Sequence, residues 1–268
     1  MGLRPSAVPS AAPRGRHGGR RRELLLLATV YAGYELVRSL SPTRVDVAHA
    51  NARAVEQLEA AANLDVELAL NQALTRAPVL EVAASGFYQS AHLLVTGAVL
   101  LHLWRRRRTA YPLLRKTLVT VTGISLALYW LLPTAPPRFA LAGAVDTLAH
   151  RPVLLAGNEA AIEGAVNLYA AMPSLHVAWS VWSALALVVT AGATSRHLAW
   201  AYPATTTLVV VATANHYVLD TAAGAALVAA VWSVTSRYWP GDPINHRQGP
   251  PPRHRLRRCT APPCSTAG

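Results

Sequence analysis

Two histidines, each beside a polar residue of a suitable type, could carry out covalent chemistry. His176 follows Pro173-Ser174 at the start of an apolar run, and His216 stands four residues before Asp220. On a helix, that carboxylate would lie one turn from the imidazole, fix its tautomer and make the opposite nitrogen more nucleophilic. Ser174 is a typical N-cap, and the free N–H groups at a helix start bind anions. With His176 as proton donor, the pattern predicts phosphoryl transfer through a phosphohistidine.

An arginine that could bind phosphoryl oxygens lies upstream of both histidines. Arg138 ends the stretch Pro133-Thr134-Ala135-Pro136-Pro137-Arg138, and its guanidinium suits bidentate contact with phosphate. Taken alone, Arg138 is more simply a loop arginine at lipid headgroups, and Ser174 a plain helix cap. Two histidines at one membrane face, one with an Asp at i+4 and one beside a Ser, favour the catalytic interpretation.

Three further polar residues allow two interpretations each. Arg38, at the end of the first apolar run, is either a snorkelling anchor or a second phosphate ligand. Tyr88 and His92, four residues apart, fit interhelical hydrogen bonding as well as substrate contact.

The elements that must position these residues are membrane-spanning helices. Six apolar segments approach the roughly 20 residues that a bilayer requires: 23–40, 79–104, 118–132, 174–191, 198–214 and 218–238. His176 and His216 are 40 residues apart, about the length of two crossings, so the second histidine returns to the face where the first began. Residues 51–77 mix apolar and acidic positions, which predicts one or two amphipathic helices on the outer membrane surface.

Composition and charge support this membrane architecture. The chain is 52% hydrophobic and 14% charged, which excludes an ordinary soluble domain. With both termini cytoplasmic, 19 arginine and lysine residues lie inside and six lie outside. By the positive-inside rule, this arrangement predicts that the two histidines face outward. The net charge of +12 then needs no nucleic acid, because basic flanks meet anionic lipid. Cys259 and Cys264, both in the tail, form no disulfide framework or metal site.

The expected organisation has three parts. Residues 1–22 form an Arg-rich cytoplasmic tail, residues 23–238 the six-span all-α domain, and residues 239–268 a disordered cytoplasmic tail. An integral protein of the plasma (inner) membrane is expected, with its active site facing outward.

Three blocks together resemble a known family. Pro-Thr-Ala-Pro-Pro-Arg (133–138), Ala-Met-Pro-Ser-Leu-His (171–176) and Asn-His-Tyr-Val-Leu-Asp (215–220) are similar to the signature blocks of the phosphatidic acid phosphatase type 2 superfamily. The likeness covers roughly residues 24–236. Within the superfamily, the second and third blocks most resemble the Aur-type inositolphosphotransferase branch, which includes inositol phosphorylceramide synthase.

The resemblance implies a six-helix membrane core and metal-independent phosphoryl transfer without a cofactor. It makes His216 the nucleophile, Asp220 its orienting carboxylate and His176 the general acid/base, with Ser174 and Arg138 as phosphate ligands. Asn215 and Tyr217, which flank His216, and Arg38 are expected to join them in substrate binding.

Two positions depart from the superfamily pattern. Leu131 stands where a lysine precedes the first-block arginine, and Val210 where an arginine precedes the nucleophilic histidine. The phosphate cradle therefore has fewer positive charges than usual, and Arg38 is the candidate that would replace part of it.

The function predicted is that of a membrane lipid phosphatase or phosphotransferase acting on phosphoryl-linked headgroups. The acceptor is either an alcohol such as inositol or water, and the latter alternative gives hydrolysis of phosphatidate or polyprenyl phosphate. A non-enzymatic lipid-binding or transport protein is the rival of another class. An intramembrane serine protease is disfavoured because Ser174 lacks Gly-rich surroundings, and a CDP-dependent transferase because no Asp-rich metal block is present.

Overall fold

A computed structural model describes residues 44–150, 169–190 and 196–239, together with most positions between 21 and 36. These residues form helices and connecting loops, with no strand in the described ranges. The helices, in chain order, are α1 (Val45–Ala62), α2 (Glu67–Thr75), α3 (Pro78–Arg106), α4 (Tyr111–Leu131), the single turns α5 (Pro137–Ala140) and α6 (Thr147–His150), α7 (Leu175–Thr190), α8 (Arg196–Ala212) and α9 (Val218–Arg237). The all-α class is thus as predicted.

The predicted apolar segments correspond closely to helices. Helices α3, α7, α8 and α9 begin and end within two residues of the segments predicted for them, whereas α4 begins seven residues before its predicted start at 118. Pro112 occupies the first turn of α4, where its missing N–H costs nothing, and this explains the earlier start. The described positions between 21 and 36 are helical as well. Residues 1–20 and 240–268, Arg38 and most of the loop after α6 lie outside the described residues.

One described helix is both long and apolar enough to cross a membrane, namely α9. Helix α7 is also apolar but has 16 residues, so it is shorter than a full span. The six-span topology therefore remains a prediction.

Helix α7 lies at the centre of the core and packs against α3, α4, α8 and α9. Its fully buried Trp182 donates its indole N–H to the carbonyl of Leu114 on α4, over 2.8 Å. Thr117 on α4 and Thr235 on α9 are joined by a hydroxyl hydrogen bond of 3.0 Å. The first contact ties the helix that carries His176 to α4, and the second ties α4 to α9.

Helices α1 and α2, joined by residues 63–66 and called the α1–α2 hairpin below, bury two acidic residues that were expected at the surface. Leu58 is 62% exposed, whereas the neighbouring Glu59 is 1% exposed and Glu67 2% exposed. The acidic residues were expected among surface positions, but these two face the protein because they accept hydrogen bonds from α9. The hairpin is therefore part of the wall around the start of α9.

Candidate active site

The segment before α7 is fixed by three contacts. The Tyr129 hydroxyl donates to the Pro173 carbonyl over 2.7 Å, and the Ser174 N–H donates to the Asp220 carbonyl over 3.0 Å. Ser174 also caps the helix, since its Oγ accepts the Val177 N–H at 3.4 Å. The start of α7 is thus tied both to α4 and to the first turn of α9.

A glycine allows α9 to approach this segment closely. A Cβ placed on Gly224 would lie 2.4 Å from the Ser174 carbonyl oxygen and 3.4 Å from the Ala178 nitrogen. No real side chain tolerates the first of these distances, so α7 and α9 can cross at this separation only at glycine.

His216 lies in the loop between α8 and α9, and not on a helix. The N–H groups of Asn215 and His216 both donate to the Val210 carbonyl, over 3.0 and 3.1 Å, and Ala214 adopts the left-handed conformation with φ of 54°. The loop thereby turns His216 inward, where it is 4% exposed.

The structure places Asp220 next to His216, but the two residues do not lie on one helix as predicted. Because α9 begins at Val218, the expectation that the two residues share a helix was wrong. Asp220 is the third residue of α9, and its Oδ2 accepts the Tyr217 N–H at 3.0 Å. That oxygen lies 3.5 Å from His216 Nδ1, a charge-pairing distance longer than a good hydrogen bond. Nδ1 therefore faces the carboxylate, and Nε2 is on the opposite side of the ring.

The two histidine rings face each other across the start of α7 and α9. Their centroids are 5.6 Å apart, with an angle of 59° between the ring planes. His176 is half-buried and His216 buried. The prediction that both histidines meet at one place is therefore matched by the geometry.

Helix α3 adds two aromatic residues whose role the sequence left open. Tyr88 stacks on the His176 ring with a centroid distance of 4.3 Å, and His92 contacts it edge-on at 4.3 Å. Their spacing of four residues was the only signal in the sequence, and it does not reveal that both face His176. These contacts confine the His176 ring.

Arg138 lies beside the His216 loop. Its guanidinium donates to the Asn215 side-chain oxygen, and its Nε lies 3.3 Å from the Asp146 carboxylate. The Arg138 N–H also donates to the Ala214 carbonyl over 2.9 Å. Asp146, which the sequence did not single out, thus shares this arginine with the site.

The other predicted binding residues differ in their surroundings. Asn215 contacts Arg138 and donates its amide to Thr213, whereas the Tyr217 side chain is buried and its hydroxyl donates to Glu56 over 2.8 Å. Burial, together with the Glu56 carboxylate, raises the pKa of Tyr217. Tyr217 therefore connects the start of α9 to α1. Arg38, the remaining predicted binding residue, lies outside the described residues.

The two positions that depart from the expected cradle supply no charge. Val210 is buried and contributes its carbonyl to the His216 loop, while Leu131 is exposed at the end of α4. Within the described ranges, no three His, Cys, Asp or Glu side chains are grouped as a metal ion would require.

Comparison with known proteins gives one match. A family model described as the PAP2 superfamily matches residues 53–234, a range that includes both histidines, Asp220 and Arg138. No curated protein and no solved structure matches the chain.

Proposed function

The chain belongs to the PAP2 superfamily, and from this premise we propose that it is a membrane lipid phosphatase or phosphotransferase that works through a phosphohistidine. The observation that carries the proposal is the pair of facing histidines, 5.6 Å apart, with Asp220 behind one of them. Members of the superfamily are generally phosphatases, which agrees with this arrangement.

In the proposed first step, Nε2 of His216 attacks the phosphorus atom of the substrate. The bond between phosphorus and the leaving oxygen breaks, and His176 donates a proton to that oxygen. The Asp220 carboxylate, 3.5 Å from Nδ1, stabilises the positive charge that develops on the His216 ring.

In the second step an acceptor hydroxyl attacks the phosphorus, and the neutral His176 ring removes its proton. The phosphorus–nitrogen bond breaks and His216 returns to its starting state. Water as acceptor gives hydrolysis, and an alcohol such as inositol gives transfer. Arg138, held by Asn215 beside the His216 loop, is the proposed ligand of the phosphoryl oxygens, together with Ser174.

An apolar cavity of about 190 Å³ supports a lipid substrate. It is lined by residues of α3 and α4, including Arg115, by Val30 and Tyr31, and by Trp179 of α7. The Trp179 ring is 5.9 Å from the His92 ring, which in turn contacts His176. Trp179 and His92 thus connect the cavity wall to the His176 ring, and the hydrocarbon chain of a bound lipid would lie in this cavity.

Exposed apolar side chains support placement in a membrane. Large apolar residues are exposed on several helices, among them Val79, Leu94, Leu131, Leu198 and Leu208. Such surfaces would be costly in water and are suited to hydrocarbon. A non-enzymatic lipid-binding protein would also show them, but it would not need two facing histidines.

The test is phosphate release or transfer by the purified protein in detergent. Phosphatidate, polyprenyl phosphate and an inositol phospholipid are supplied with and without free inositol. We expect turnover that vanadate inhibits and EDTA does not, and that His216→Ala abolishes. His197→Ala, which changes an exposed histidine of α8, is the matched control and should retain full activity. Absence of turnover on every substrate would favour the lipid-binding alternative.

The cavity is tested separately with Gly97, which lines it. A Cβ at Gly97 meets nothing within 4 Å, so the backbone there accepts a side chain, and Gly97→Leu introduces one into the cavity wall. We expect a raised KM for long-chain lipid phosphates and little change for short-chain ones. Gly123→Leu is the control, because Gly123 has the same open surroundings but does not line the cavity. Equal effects of both variants would contradict a tail site.

A further inference from the structure

Two buried glutamates outside the catalytic set hold the helix that carries Asp220. Glu59 of α1 accepts the Leu219 N–H at 2.7 Å, and Glu67 of α2 accepts the Val218 N–H at 2.9 Å. We propose that Glu59 and Glu67 are positioning residues for the His216–Asp220 pair, and that Glu59 does so in its neutral, protonated form. This inference concerns the same site and rests on the proposed function.

The first turn of α9 is held entirely by carboxylates. Successive N–H groups of Tyr217, Val218 and Leu219 donate to Asp220, Glu67 and Glu59 respectively. Helix starts leave such N–H groups without intrahelical partners, and they are usually satisfied by one N-cap side chain or by water. Here the partners come from three different helices, so the position of the turn depends on the α1–α2 hairpin.

The first turn of α9 in turn positions both histidine segments. The Asp220 side chain faces His216 at 3.5 Å, while its carbonyl accepts the Ser174 N–H at 3.0 Å, two residues before His176. A displacement of Val218 and Leu219 would therefore move both segments together.

The charges around Glu59 favour its protonated form. Glu59 faces Glu67 on α2 and Asp220 on α9, with Glu56 one turn away on α1 and bonded to Tyr217. In the described part of the chain, neither Glu59 nor Glu67 forms an ion pair with a basic side chain. The partial positive charge of a helix start can offset about half an elementary charge. Two full charges at this place would be uncompensated.

Titration of Glu59 agrees with this geometry. Burial, with Glu67 and Asp220 nearby and against the stabilising Leu219 N–H, raises the pKa of Glu59 to about 8. Glu59 thus keeps its proton at neutral pH and loses it as the pH rises through about 8. Loss of this proton places a further negative charge beneath the first turn of α9. The active geometry should therefore weaken on the alkaline side.

The first test reads the site without relying on activity. The protein is labelled with ¹⁵N-histidine, the His216 signals are assigned with His216→Ala, and the Nδ1 shift is followed from pH 6 to pH 10. We expect a step near pH 8 in the wild type that Glu59→Gln abolishes, because glutamine keeps the hydrogen bonds but cannot ionise. Asp65→Asn, an exposed change on the same hairpin, should retain the step. A step that persists in Glu59→Gln would overturn the proposal.

The second test uses turnover. Glu59→Gln should keep neutral-pH turnover within about threefold and extend activity to higher pH. Glu59→Leu, which offers no acceptor to Leu219, should lower kcat by about 10- to 100-fold with little change in KM. Thermal unfolding in detergent verifies that the variants fold. An inactive wild type that shows the NMR step would contradict only the proposed function, and a fully active Glu59→Leu would contradict only the positioning role.

Discussion

Gly224→Ala is a single-methyl change that should disable the site by displacing the Ser174 backbone. The added Cβ would lie 2.4 Å from the Ser174 carbonyl oxygen, whereas ordinary contacts begin at about 3.4 Å. Helices α7 and α9 must therefore separate by about 1 Å at this crossing. A misplacement of about 1 Å can cost roughly 10²-fold in rate when it alters the alignment of reacting groups. We expect kcat to fall by about that factor, because Ser174 is two residues from His176.

The assay is steady-state turnover of the best lipid phosphate, with the thermal unfolding midpoint measured in the same detergent. Gly123→Ala is the matched control, since a Cβ at this position meets nothing within 4 Å. It should retain wild-type turnover. If Gly224→Ala were also as active as the wild type, the dependence of catalysis on the α7–α9 separation would be refuted.

Three further predictions address the site and its orientation. Asp220→Asn keeps the size of the side chain but removes its charge. Turnover should therefore fall by about 10²- to 10⁴-fold with little change in KM. Near-normal turnover would exclude the His216–Asp220 pairing. Arg138→Ala should raise KM and lower kcat because a charged phosphoryl contact is lost. A comparable defect in Arg38→Ala would make Arg38 a second phosphate ligand, whereas wild-type kinetics would make it a membrane anchor. Single cysteines placed in 139–165 should react with an impermeant thiol reagent in intact cells, whereas one at 107 should not, and the opposite pattern would contradict the outward-facing site.

Much of the fold could be predicted because apolar runs reveal helices directly. The segments of α3, α7, α8 and α9 were predicted to within two residues, and the return of His216 to the His176 face followed from counting residues per crossing. Both inferences depend only on helix geometry and local hydropathy. The start of α4 was missed because its second turn contains Arg115 and Lys116, whose charges interrupt the apolar pattern.

What the sequence could not give was the orientation of polar side chains. Glu59 has the pattern of an exposed acidic residue, and only its long-range contact with Leu219 explains its burial. The i+4 spacing of His216 and Asp220 suggested a shared helix, but the helix begins between them. Likewise, His92 and Tyr88 became part of the site only through the packing of α3 against α7. Such contacts depend on tertiary structure, and spacing alone does not encode them.

The hydrogen bonds between the hairpin and α9 also set an order for assembly during synthesis. Glu59 and its partner Leu219 are separated by 160 residues. At a ribosomal rate of about 5–20 residues per second, α1 and α2 wait roughly 8–30 s before the N–H groups that they bind have been made. Through that interval the Glu59 and Glu67 carboxylates can stay hydrated or protonated. Their hydrogen bonds to the first turn of α9 then form among the last events of folding. A chain truncated before α9 would therefore have every helix of the hairpin and no catalytic site.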